Sequence, residues 1–244
     1  MCDTLRSYMN NLTRIPLAPH QAQCDALVRL QRAFAAACNA LSPLVAERRV
    51  WNRVTLHHLA YRELRERFPE LGSQMACNAI YAVCRAARLV YQHPKSPFNI
   101  ARRPQAPLPR LKFNDDAPVY FDRHTLSLRV GAVSIFGLEG RMQCPAQLSR
   151  ATCERLGAVR LREVALTRKA DQFTLVFKTG DAASVPTSAK AELATQPAAW
   201  PQHLSVIAGQ GDGTPPAADV RGSGAERPGP SPMHPRSSED STLR

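Results

Sequence analysis

The chain has 244 residues, 44% of them hydrophobic and 21% charged, enough to bury a sizeable core. Its net charge of +12 is unevenly placed: residues 1–180 carry 27 − 13 = +14 and residues 181–244 carry 5 − 7 = −2. Seven cysteines, an odd number with no C-x-x-C, argue against a disulfide framework or a zinc site, and no apolar run approaches a membrane span, so buried thiols in a cytoplasmic protein are expected.

Leu12–Leu17 reads as a short strand with a proline at its edge. A helix follows from Ala18-Pro-His-Gln to about Leu41, with Cys24, Leu27, Phe34, Cys38 and Leu41 on its apolar face and Pro43 just past its end. A second helix is expected from Thr55 as N-cap, lined by Leu56, Leu59, Ala60, Leu64 and Phe68, with Arg62–Glu66 and Glu63–Arg67 as i,i+4 pairs. Gly72-Ser73 breaks the pattern and starts a third helix to about Gln92. Its buried stripe is Ala76, Ile80, Val83, Ala87 and Val90, and Asn78, Arg85, Arg88 and Gln92 fall on the opposite face.

Between Glu70 and Asp115 there is no acidic residue, while Arg85, Arg88, Lys95, Arg102, Arg103, Arg110 and Lys112 all lie there. A cationic run without internal counter-charge calls for an external anion, most often a phosphate backbone. Arg14, on the first strand, joins the candidate contacts. Residues 94–110 hold five prolines and read as an extended basic linker. Short strands follow at Val119–Phe121, Leu126–Val130, Val133–Phe136, Val159–Leu161, Val164–Leu166 and Phe173–Phe177, a spacing that suggests a small barrel. Residues 181–244, with nine prolines, six glycines and Trp200 as their one aromatic, read as a disordered tail.

Three passages carry a family resemblance. Arg14–Gln21 precedes a helix containing Asn39; an R-E-x-x-x-x-F helix at Tyr61–Phe68 precedes Ser73-Gln-Met-Ala-Cys-Asn-Ala-Ile80; and Leu126–Met142 ends Phe136-Gly-Leu-Glu-Gly-Arg-Met. Together, over residues 5–178, they resemble the N-terminal part of TnpB/OrfB-type transposases and the related compact type V CRISPR effectors. The resemblance implies an α+β fold: an oligonucleotide-binding-like β-barrel with an inserted helical bundle. Residues 1–20 would give the first barrel strand, 21–93 the helical recognition insert, 94–112 the basic proline-rich linker and 113–180 the remaining barrel strands, with 181–244 as the tail. It implies binding of a guide-like RNA, of DNA or of both, with Tyr120, Phe121 and Phe136 as candidate base platforms. As residues, these three also suit a strand core.

The family's nuclease needs three metal-binding carboxylates in a later domain, then paired C-x-x-C motifs. The sequence diverges after Phe177, and Gly211-Asp-Gly213, the nearest match to the first nuclease motif, lies in the tail. The chain therefore reads as a truncated, nuclease-free form that binds nucleic acid without cutting it alone. One half of a split RNA-guided endonuclease and a nuclease-free transcriptional regulator are the alternatives. No catalytic residue, metal site or cofactor is expected. His57-His58 point about 100° apart on a helix, and Glu63, Glu66 and Glu70 read as charge pairs. The sequence assigns no oligomeric state.

Overall fold

A computed structural model describes residues 12–158, 161–179 and 202–207. It is a mixed α+β fold with open sheets. Strand β1 (Leu12–Pro16) leads into helix α1 (Gln21–Arg48), α2 (Arg53–Arg67), a short 3-10 turn (Pro69–Leu71) and α3 (Gly72–Tyr91). Strands β2 (Arg110–Phe113), β3 (Val119–Phe121), β4 (Leu126–Arg129), β5 (Ala132–Gly137) and β6 (Gly140–Pro145) follow. Helix α4 (Arg150–Ala158), the hairpin β7 (Leu161–Lys169) and β8 (Gln172–Thr179), and β9 (Leu204–Ile207) complete the order. Residues 1–11 and Val159-Arg160 lie outside the described residues, as do Cys2, Trp200 and Gly211–Gly213.

The strands form a four-stranded sheet in the order β1-β8-β7-β3, a meander β4-β5-β6 and a ribbon β2-β9. Two links join the first two sheets. Leu17 and Ala146 form an antiparallel bridge, and β3 runs directly into β4 through the Asp122–Thr125 turn. The core runs through both layers, from Leu27, Leu30, Phe34 and Leu41 of α1 and Met75, Ile80, Val83 and Val90 of α3 to Val119, Ile135, Leu166, Leu175 and Phe177 of the sheets.

Helix α3 is the central element. Its twelve buried residues surround its axis, because α1, α2 and β3 all pack against it. Asn78, expected on an exposed face, is instead buried, with its amide 3.5 Å from Thr125 Oγ1. A helix enclosed by three neighbours has no solvated face wide enough for the expected stripe.

Five other expectations are corrected. Helix α1 passes through Pro43 and ends at Arg48, where Arg49 takes a left-handed conformation at φ 53. A proline costs one intrahelical bond and crowds the preceding turn. Buried Val45 and Ala46 on the following turn continue the packed face of the helix past that break. Helix α2 starts earlier than Thr55, because Asn52 Oδ1 accepts from the amides of Val54 at 2.9 Å and Thr55 at 3.1 Å. Leu59 of that helix is exposed rather than packed. Residues 110–112, assigned to the linker, belong to β2. Leu204–Ile207, assigned to a structureless tail, form β9, which pairs with β2; apart from Gln202 and His203, the rest of that stretch lies outside the described residues.

Candidate nucleic-acid interface

The stretch from His93 to Pro109 is not extended. It is a chain of turns folded onto the end of α3, where a helix leaves carbonyls without intrahelical partners. The loop supplies the donors. Ser96 Oγ donates to the Val90 carbonyl, the Ile100 amide to Tyr91 at 2.9 Å, and Asn99 Nδ2 to Gln92 at 3.1 Å and His93 at 2.9 Å. Asn99 Oδ1 in turn accepts from the Ala101 amide at 2.8 Å. Tyr91 Oη donates to the Pro109 carbonyl at 2.5 Å, closing the loop at its far end. Arg49 clamps it from the other side, donating to the carbonyls of Pro104 and, at 2.7 Å, Ala106. Prolines suit turn positions as well as extended ones, so their number did not separate the two.

This scaffold places Lys95, Arg102 and Arg103 on the surface of one loop, where their side chains form no ion pair among the described residues. Arg110 and Lys112 continue from it on β2, both exposed. Arg110 meets Glu47 of α1 at 3.0 Å, whereas Lys112 makes no such pair among the described residues. Arg88, half-buried on the last turn of α3, donates to the Trp51 carbonyl at 3.3 Å, and Trp51 lies against Tyr91 with ring centroids 5.5 Å apart. Arg14 is exposed but stands on β1, opposite Val176 at the edge of the four-stranded sheet.

Arg85 differs from the others. Its counter-charge comes from outside the acid-free interval: Glu163 of β7 meets Arg85 Nε at 2.8 Å, and the pair is mostly shielded from solvent. Glu163 also accepts from Tyr81 Oη at 2.7 Å, and the Arg85 guanidinium lies 5.7 Å from the Tyr120 ring centroid. Burial first, and Glu163 beside it second, hold the Tyr81 phenol well above its ordinary range. Arg85 is thus a structural cation tying α3 to β7, and the expectation that the helix arginines project together is corrected: Arg88 leans to the α1–α2 connection and Arg85 to the sheet.

Of the candidate platforms, Tyr120 and Phe121 are buried and Phe136 is half-buried against the core. Phe136 packs over Gly72, where an added Cβ would come within 3.1 Å of the ring. Arg49, which clamps the loop, has no counterpart among the residues the sequence singles out, because the helix is expected to end at about Leu41, eight residues before it. Among the described residues, no group of three or more His, Cys, Asp or Glu comes together to hold a metal ion. His57 stacks instead on Tyr61 at 4.5 Å. No helix among the described residues is long and apolar enough to cross a membrane. Compared with known proteins, the chain matches no family model and no curated protein.

Proposed function

We propose that the protein binds nucleic acid as a TnpB/OrfB-type module, with the 93–109 loop as its phosphate-contacting surface. The observation that carries this reading is the loop itself. A turn-rich segment is pinned at both ends by Asn99, Tyr91 and Arg49, and it presents Lys95, Arg102 and Arg103 without an acidic partner among the described residues. Rigid scaffolding of mobile, charged side chains lowers the ordering cost of contacting a polyanion. Arg88 and Lys112 extend the surface, and Arg14 contributes from β1. Arg110 joins by exchanging Glu47 for phosphate.

The barrel expected from the resemblance draws support from the two links between sheets. The Leu17–Ala146 bridge joins the β1 end of one sheet to the β6 end of the meander, and β3 runs through the Asp122–Thr125 turn into β4. Helices α1 to α3 leave this path after β1 and return to it at β2 and β3, which is where an inserted bundle would sit.

The test is the affinity for fluorescent RNA and DNA oligonucleotides across a salt series. Each phosphate contact adds roughly 0.7 to 0.9 to the slope of log affinity against log salt. Replacing Arg102 and Arg103 together by Ala should weaken binding and lower that slope by about 1.5. An unchanged slope would remove the loop from the interface.

A further inference from the structure

Strand β9 is an unusual neighbour for β2. Residues 180–203 separate it from β8, and β2 is the one strand it pairs with among the described residues. Its register sets Arg110 opposite Ile207, Leu111 opposite Val206, Lys112 opposite Ser205 and Phe113 opposite Leu204. Side chains directly opposite share a face of the ribbon. The inner face therefore holds Leu111, Phe113, Leu204 and Val206, and the outer face holds Arg110, Lys112, Ser205 and Ile207.

The inner face fits well and the outer face does not. Leu204 is buried against Phe113, beside a cleft lined by Ala86, Leu89, Pro118 and Tyr120. Outside, two cations stand opposite a serine and an isoleucine that is 51% exposed. Neither offers a counter-charge, and Ile207 leaves apolar surface in water. His203 enters the same cleft and Val206 packs partly against the core, while Asn114 adds two hydrogen bonds: its amide donates to the His203 carbonyl at 3.0 Å and its side chain to the Gln202 carbonyl at 3.3 Å. A two-stranded ribbon with a single wholly buried apolar side chain on one strand belongs to the low-stability end of a fold, where local opening is frequent. The other edge of β2 does not depend on β9, since Asn39 and Ser42 of α1 satisfy it.

We propose that the β2 edge is a docking site for an extended acidic peptide of a partner protein, occupied in this structure by the chain's own residues 202–207. The peptide adds as an antiparallel strand. It places apolar side chains where Leu204 and Val206 lie and carboxylates where Ser205 and Ile207 lie, opposite Lys112 and Arg110. Main-chain hydrogen bonds supply the general affinity. The two cations select for acid, with the carboxylate opposite Arg110 competing with Glu47. This inference does not rest on the nucleic-acid reading, although both draw on Arg110 and Lys112: its binding element is the backbone edge of β2 rather than the 93–109 loop.

The test uses the full chain and three labelled hexapeptides built on Gln-His-Leu-Ser-Val-Ile: that sequence itself, one with Glu at its fourth and sixth positions, and one with Lys there. Binding is measured on the unchanged protein and on Leu204→Asp and, separately, Asn114→Ala, both of which loosen the resident strand. Circular dichroism and amide exchange at Lys112 verify that each variant is folded and that β9 has been released. The expected result is acidic-peptide binding at least tenfold tighter in the loosened variants than in the unchanged chain, and at least tenfold tighter than for the other two peptides. Lys112→Glu in the loosened chain should reverse the preference toward the lysine peptide. Equal binding of all three peptides, or no peptide binding once exchange shows β9 released, overturns the proposal. So does an oligonucleotide that protects the Lys112 amide where the acidic peptide does not.

Discussion

Asn39 and Phe113 hold each other by a reciprocal pair of hydrogen bonds. The Phe113 amide donates to Asn39 Oδ1 at 2.7 Å, and Asn39 Nδ2 donates to the Phe113 carbonyl at 3.0 Å. A side-chain amide carries the same donor and acceptor as a peptide group, so one helical residue substitutes for a neighbouring strand. Ser42, one turn on, accepts from the Leu111 amide at 2.6 Å. An edge that would otherwise be open is thereby closed by α1.

Replacing Asn39 by Ala strands both backbone groups of Phe113. Each unsatisfied group costs about 1–3 kcal/mol when shielded from water, so the expected loss is about 2–4 kcal/mol. Urea unfolding monitored by circular dichroism measures it. Asn39→Asp, which keeps the acceptor and loses the donor, should fall between the two proteins. A loss under about 0.5 kcal/mol for the alanine would mean that water replaces the amide.

Gly72 has φ +69 and ψ 163, and an added Cβ would meet the Phe136 ring at 3.1 Å. Gly72→Ala combines a backbone conformation that side chains rarely adopt with a tight contact to a ring. The expected destabilisation is about 2–3 kcal/mol. Phe136→Leu on the same background should recover the contact part and leave the backbone part, a separation that a double-mutant cycle reads directly.

Glu163→Gln removes the charge that faces Arg85 while keeping a hydrogen-bond acceptor for Tyr81. A mostly shielded cation left without its carboxylate should cost about 1–3 kcal/mol. Removing Arg85 and Glu163 together, as Met and Leu, should cost less than the single change. Ultraviolet titration of the tyrosines gives a second readout: with the neighbouring negative charge gone, the Tyr81 phenol should titrate at lower pH than in the unchanged protein.

Burial pulls the imidazole of His203 down to about 4, with Asp116 opposing that shift and Arg85 adding to it. The unfolded imidazole takes its proton near 6.5. The docked segment therefore has its full stability above about pH 6.5 and loses it progressively as pH falls toward about 4, because the released histidine binds the proton that the docked one refuses. Tyr120 of β3 lines the same cleft, but burial pushes its phenol up to about 12, so it stays neutral across this range. Amide exchange at Lys112, corrected for the intrinsic pH dependence, should accelerate over that window. His203→Gln should flatten the response. Acceleration of equal size at amides throughout the core would assign the effect to global unfolding.

Much of the architecture was legible from local pattern. Ala76, Ile80, Val83, Ala87 and Val90 are all buried on α3, as their spacing indicates, and the strands around Val119, Val133 and Phe173 lie where alternation puts them. Such periodicity is written over a few residues, and burial of an apolar stripe is insensitive to which neighbour covers it. The acid-free interval from Glu70 to Asp115 and the cations within it are likewise properties of the chain alone. Tertiary structure decided how those cations are used. Arg85 meets a carboxylate 78 positions away, Arg110 reaches back to Glu47, and only Lys95, Arg102 and Arg103 of the seven share one exposed loop. Strand β2 was hidden because four residues carry too little pattern to identify, and what makes them a strand is the pairing of Arg110–Phe113 with β9 on one side and Asn39 and Ser42 on the other. A counter-charge or a backbone partner is a single contact between distant residues, so it leaves no repeating signal in the sequence around either of them.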